Sequence, residues 1–135
     1  MSVIKYNNLS SWVFSPLIVL IAVTVSFNTA YADCNPEKGA KIFKKCVACH
    51  AIEGKGGKVG PGLDGVVGRK SGSFPDFKYS RALRELNIIW TSETLDEFLT
   101  SPQKYARGTG MAFSGLKKER KREDLICFLK TLTSP

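Results

Sequence analysis

Imidazole and thioether groups are almost absent from this sequence. His50 is the single histidine, and Met111 is the one methionine besides the initiator. A second imidazole ligand for any metal is therefore excluded. Cysteine is also sparse, with four in 135 residues. Cys46 and Cys49 form a pair, while Cys34 and Cys127 stand alone, so a structural zinc site, which usually takes two separated ligand pairs, lacks its second pair. No segment alternates between apolar and polar at period two, and there is neither an internal repeat nor a low-complexity tract. An all-α chain with much loop is expected, and the βαβ setting of a thioredoxin-like dithiol is missing. Acid is in deficit as well. Lys and Arg total 20 against 12 Asp and Glu, a formal charge of +8, which points to an acidic partner, an anionic membrane surface or nucleic acid.

What is present begins with an apolar run, "WVFSPLIVLIAVTVSF", from Trp12 to Phe27. Lys5 lies before it, and Ala30 and Ala32 follow at the small-residue cleavage positions. This reads as a secretory signal over residues 1–32, with Asp33 opening the mature chain. An uncleaved single-helix anchor is the alternative, but the run is shorter than the roughly 20 apolar residues a span needs. Asp33 before Cys34 speaks against a lipoprotein signal. Export also argues against nucleic acid as the partner of the basic excess. Residues 33–135 then form one small domain with a formal charge of +7, since Lys5 is the only charge removed from +8. A domain of this size buries little apolar surface and often needs an internal staple, which a bound cofactor would supply.

Within the domain, "NPEKGAKIFKKC" (35–46) predicts a helix with Asn35 as N-cap and Pro36 at its first position. Residues 53–78 are glycine-rich without apolar period, the mark of a long loop that wraps something. "YSRALREL" (79–86) predicts a short helix capped by Ser80. "TSETLDEFLTSP" (91–102) predicts one capped by Thr91, with Leu95, Phe98 and Leu99 on its apolar face and Pro102 as its stop. "PQKYA" is then a single turn, and "RGTGMAFSG" (107–115) is a loop. In "KKERKREDLICFLKTL" (117–132), Leu125, Phe128, Leu129 and Leu132 fall at i, i+3, i+4 and i+7, so it is an amphipathic helix.

The chemistry concentrates in "CVACH", residues 46–50. Cys49 and His50, being adjacent, are poorly placed to bind one tetrahedral ion. C-x-x-C-H is instead the signature of haem attachment, in which both thiols add to the vinyl groups as thioethers and the next residue ligates iron. One helical turn presents two sulfurs to one porphyrin edge and carries the imidazole beneath the metal. Met111 is the remaining soft axial donor. A lone methionine is commonly a flexible core filler, but this one sits in a glycine-rich loop outside any apolar stripe. His/Met ligation leaves no open position for substrate and raises the potential relative to bis-histidine, which favours electron carriage.

The chain resembles the class I c-type cytochromes, close to the mitochondrial and short bacterial periplasmic types. The resemblance covers nearly all of residues 35–132, through "EKGAKIF", "CVACH", "VGPGLDGVVGRKSG", "FKYSRAL", "IIWTSETLDEFLTSPQKY", "GTGMAFSGLK" and "REDLICFLK". It implies an all-α class I cytochrome c fold wrapped around one haem c, with the terminal helices crossing near Gly39 and Phe43. It makes Cys46 and Cys49 the thioether sites and His50 and Met111 the axial ligands. Pro61 matches the residue whose carbonyl accepts the imidazole N–H. Arg69, Tyr79 and Trp90 match positions around the propionates, and Phe113 matches the aromatic beside the exposed haem edge. Taken without the resemblance, Trp90 and Tyr79 are ordinary core aromatics, Arg69 a solvated loop charge and Pro61 turn chemistry.

Some residues depart from the animal mitochondrial pattern. Phe98 stands where a tyrosine hydroxyl commonly reaches the methionine sulfur, and Leu83 replaces a common asparagine of an internal polar network. Arg107 takes the place of a proline before the glycine of the methionine loop, a change expected to loosen it. The implied function is a soluble, monomeric one-electron shuttle. Its donor would be a cytochrome bc complex, and its acceptor cytochrome c oxidase or a photosynthetic reaction centre, met through their acidic docking faces. A haem peroxidase or gas-binding protein with a labile methionine is the competing enzyme-class reading, supported only by Arg107. A permanently bound redox subunit would need a large exposed apolar patch, and none is visible. The basic residues Lys44, Lys45, Lys55, Lys104, Arg107, Lys117 and Lys118 flank the cysteine and methionine segments, while Glu93, Asp96 and Glu97 gather elsewhere. Cys34 and Cys127 invite a disulfide in an exported protein. Because Cys34 lies several residues before the helix crossing, a free Cys34 and a Cys127 serving as a small core residue are expected instead.

Overall fold

The computed structural model describes residues 34–52 and 59–132. The expected signal segment 1–32 and Lys55 lie outside these residues. Five helices follow in order: α1 (Pro36–Phe43), α2 (Arg81–Glu85), α3 (Ser92–Thr100), α4 (Pro102–Tyr105) and α5 (Glu119–Thr131). None is long and apolar enough to cross a membrane. Asn35 caps α1 from an extended conformation, its side chain accepting the Lys38 N–H at 2.8 Å, and Pro36 opens the helix. Thr91 and Thr94 form a reciprocal capping box at the start of α3. Ser80 caps α2.

The core is organised by α1 packed across α5. At the crossing, a Cβ on Gly39 would collide with the Asp124 carbonyl oxygen and lie 2.7 Å from Phe128 Cβ, so only glycine lets the two backbones approach this closely. Phe43 then meets Phe128 with ring centroids 5.2 Å apart. Leu125 and Ile126 are fully buried beneath them, each such side chain contributing about 1.5–3 kcal/mol of apolar burial. Asp124 is buried too, and its carboxylate accepts the Asn35 N–H at 2.8 Å.

This contact explains why the expected free Cys34 is wrong. Cys34 and Cys127 are joined as a disulfide, with Cα atoms 6.1 Å apart. The chain does not run back along the axis of α1 before Pro36. Asn35 is extended and bonded to Asp124, which turns the preceding residue over α5 within reach of Cys127.

Three further features bear on the site. The long loop is not structureless, because Lys70 and Ile89 form an antiparallel bridge. Around it, Gly68 N–H donates to the Trp90 carbonyl at 2.8 Å and Trp90 N–H to the Arg69 carbonyl at 2.9 Å. Arg122, a charged residue of the last helix, is buried. It holds the Asp96 carboxylate with two hydrogen bonds, of 2.8 and 3.1 Å, and donates to the carbonyls of Leu116 and Lys117. Asp96 therefore does not belong to a free acidic cluster with Glu93 and Glu97. The amphipathic stretch of 117–132 begins its helix only at Glu119, because Lys118 is extended and Lys117 Nζ reaches back to the Thr100 carbonyl at 2.8 Å.

Candidate functional site

Below the α1–α5 crossing lies a cavity of about 320 Å³, within the roughly 300–1,000 Å³ of small-molecule sites. Its floor is apolar, formed by Leu95, Phe98 and Leu99 of α3 together with Leu125 and Leu129 of α5. Cys46, Cys49, His50, Pro61, Arg69, Tyr79, Trp90, Met111 and Phe113 all line it, so the residues expected around a haem reach one place.

The thiols and the imidazole sit on a turn continuous with α1. Cys46 N–H bonds the Phe43 carbonyl at 2.7 Å, and His50 N–H bonds the Cys46 carbonyl at 2.9 Å. Neither Cys46 nor Cys49 is paired in a disulfide, and before haem attachment burial, ahead of the neighbouring Cys49, holds the Cys46 thiol up at about 11. His50 Nδ1 lies 2.8 Å from the Pro61 carbonyl oxygen. A carbonyl can only accept, so Nδ1 carries the proton and Nε2 keeps its lone pair. Burial is also the main reason the His50 pKa is lowered, which favours the neutral ring. The Gly60 backbone is pressed against that ring, and a Cβ there would come 2.7 Å from His50 Cε1 and Nδ1.

Across the loop region, the Arg69 guanidinium donates to the carbonyls of Asp64 at 2.9 Å and Gly62 at 2.7 Å, and stacks over Phe74 at 4.8 Å. It is thus fixed rather than a freely solvated charge. The Tyr79 hydroxyl accepts the Phe74 N–H at 3.3 Å, its carbonyl accepts from the Arg84 guanidinium, and burial raises the phenol pKa. Trp90 is buried and tilted against Phe98, with centroids 4.9 Å apart. Phe98 also meets Tyr105 edge-on at 5.9 Å. Phe98, where the resemblance puts a tyrosine, is thus held by ring packing.

Met111 comes from a separate segment, the loop between α4 and α5. Its N–H bonds Thr109 Oγ1 at 3.3 Å, and its carbonyl accepts from Phe113 N–H at 3.0 Å and from the Gln103 side chain at 2.8 Å. Gln103 was not singled out from the sequence, and neither was Lys78, which lines the cavity with Lys45. Lys78 had a local signal, because it adjoins Tyr79. Gln103 had none, its partners being six and eight residues onward in an irregular loop.

The donor set fits haem c. Two free thiols share one rim, an imidazole with Nδ1 already occupied offers Nε2, a thioether approaches on another segment, and the walls between are apolar. The cytochrome c family model matches residues 36–133. Cytochrome c type-1 of Ascaris suum is 48% identical over 95 residues, covering 70% of this chain and 85% of that protein. Cytochrome c-550 of Ancylobacter novellus is 48% identical over 103 residues, covering 73% and 96%. Among solved structures, cytochrome cH from Methylobacterium extorquens superposes with a TM-score of 0.69 at 39% identity, covering 72% of this chain and 98% of that one. The fold is that of class I cytochrome c, and the cofactor is one haem c held covalently through Cys46 and Cys49. With the cysteine–histidine turn, the wrapped apolar cavity and these relatives in agreement, the chain belongs to the cytochrome c family.

Proposed function

We propose that the chain is a one-electron carrier whose single haem c iron is ligated by His50 and Met111. The observation that carries this reading is their convergence on one cavity from separate segments, with both thiols on its rim. Haem c supplies one-electron iron redox chemistry when bound. The protein's own contribution is positional and electrostatic. Pro61 holds the His50 Nδ1 proton and so aims Nε2 into the cavity. Met111 offers a soft thioether, and with His50 and Met111 both on the iron no position would remain for a substrate. Leu95, Phe98, Leu99, Leu125 and Leu129 keep water from the interior. Arg69, Tyr79 and Trp90 would neutralise and hydrogen-bond propionates, and Phe113 would border the edge through which electrons pass.

Exposed Lys44, Lys45, Lys78, Lys104, Arg107, Lys117 and Lys118 supply the positive charge. The partners they suit are the acidic docking faces of membrane redox complexes: a cytochrome bc complex as donor, and cytochrome c oxidase or a reaction centre as acceptor. The carrier would work as a monomer in the periplasm, with residues 1–32 removed on export. The peroxidase alternative rested on a loop loosened at Arg107, and the hydrogen bonds to Met111 count against it. The test is the absorption spectrum of ferric holoprotein. A near-red sulfur-to-iron charge-transfer band is expected, and Met111→Ala should abolish it and lower the reduction potential while the covalent haem stays. A band that survives in Met111→Ala removes Met111 from the iron.

A further inference from the structure

The hydrogen bonds of the methionine loop single out one side chain from outside it. Gln103 follows the buried Pro102, which opens α4 and anchors it to the core. Its amide lies 3.3 Å from the Thr109 carbonyl oxygen and 2.8 Å from the Met111 carbonyl oxygen. Both partners are acceptors only, so the facing group is the amide NH2, whose two hydrogens can serve one carbonyl each. The remaining loop bonds are local: Thr109 N–H to the Ala106 carbonyl, Met111 N–H to Thr109 Oγ1, and Phe113 N–H to the Met111 carbonyl. Local bonds shape the loop, and its far end is tied to α3 and α5 through Leu116, whose N–H bonds the Leu99 carbonyl and whose carbonyl accepts from Arg122. Gln103 joins the loop to a helix whose first residue is fully buried.

We infer that Gln103 is a positioning residue for Met111, clamping the loop so that the thioether stays directed into the cavity although Arg107 replaces the stiffening proline. This rests on the proposed ligation by Met111. An external ligand can take the sixth position only in the fraction of molecules whose loop has opened, so its apparent dissociation constant is its intrinsic constant divided by that fraction. The clamp therefore sets how far small ligands are kept out.

Imidazole titration of ferric holoprotein reads this directly. Gln103→Leu, which keeps similar bulk without donors, and Gln103→Glu, which faces carboxylate oxygens toward two carbonyls, should each tighten imidazole binding. The expected change for Gln103→Leu is about tenfold, the equivalent of ~1.4 kcal/mol, with a larger one for Gln103→Glu. The near-red band should weaken in both, while the haem remains covalently bound. Unchanged imidazole affinity in both variants, with the band intact, would overturn the inference while leaving Met111 ligation standing. Absence of the band from the unsubstituted protein would overturn the ligation, and the clamp with it.

Discussion

His50 and Met111 face the same cavity, yet the chain secures them differently. His50 ends a turn that grows out of α1, with Cys46 and Cys49 beside it, Gly60 against its ring and Pro61 on its Nδ1. α1 is in turn fastened to α5 by the crossing at Gly39 and by the Cys34–Cys127 disulfide. Met111 has no covalent anchor nearby. Its loop depends on Gln103 and Thr109, on the Leu116 N–H bonded to the Leu99 carbonyl at 2.8 Å, and on Arg122 spanning Asp96, Leu116 and Lys117. Covalent links fail only when a bond breaks and close-packed core elements open at a cost near that of global unfolding, whereas hydrogen-bonded loops open locally at far smaller cost. The histidine side should behave as a fixed frame and the methionine side as the part that yields.

The largest break in that contrast is removal of the thiols. Cys46→Ala with Cys49→Ala should abolish covalent haem, seen as lost haem staining on a denaturing gel, and the fold should fail with it. The leucine walls then have nothing to close upon, and a domain this small has little other apolar burial to replace it. A folded double variant by far-UV circular dichroism would mean the helices stand without the cofactor.

Next is the disulfide. Its cysteines are separated by 93 residues, and loss of such a bridge typically costs about 2–4 kcal/mol, because it constrains the unfolded chain. Cys34→Ser with Cys127→Ser should lower the denaturant midpoint accordingly and leave the near-red band untouched, since neither residue reaches the cavity. An unchanged midpoint would show that the bridge contributes nothing to the frame.

On the opposite side, Asp96→Ala should sharpen the comparison. It leaves the Arg122 guanidinium, whose side chain is only 9% exposed, without its carboxylate. The expected cost is about 3 kcal/mol, the low end for breaking a buried pair because Asp96 keeps 25% exposure. Unlike the disulfide variant, it should also tighten imidazole binding, since Arg122 holds the segment leading from Met111 to α5. Equal effects of the two variants on imidazole would erase the distinction between frame and yielding loop.

What could be read in the sequence follows the same division. Spacing within one helical turn announces the Cys46–Cys49–His50 group, and the caps at Asn35, Ser80 and Thr91 are chemically local, so helix starts and the thiol site were legible. The disulfide was not, because it depends on how Asn35 leaves the helix and on its bond to Asp124, 89 residues away. The burial of Arg122 was not legible either, since nothing local reveals a carboxylate 26 residues earlier. Gln103 was invisible for a related reason. Its partners are backbone carbonyls, and these carry no sequence identity.

The smallest expected effect concerns the basic rim. Lys104 is exposed on α4 and Lys118 precedes α5, whereas Lys130 lies in the last turn of α5, on the side of Glu93 at the acidic start of α3. Hydrogen bonding by Thr91 is the main reason the Glu93 pKa is lowered, with Lys130 the smallest contributor. Rim lysines bear on association rather than on the fold, because electrostatic complementarity steers encounter over long range. Screening shortens that range from roughly 30 Å at 0.01 M salt to about 8 Å at 0.15 M. The bimolecular rate with an oxidase should therefore fall steeply with salt. Lys104→Glu or Lys118→Glu should slow it roughly two- to fivefold at low salt, in keeping with the modest worth of single exposed charges, and Lys130→Glu should slow it less. The differences should converge as salt rises, because a screened charge no longer guides approach. If Lys130→Glu is as harmful as the other two, or salt leaves the rate unchanged, the lysines around the cavity only solubilise the protein and docking relies on other contacts.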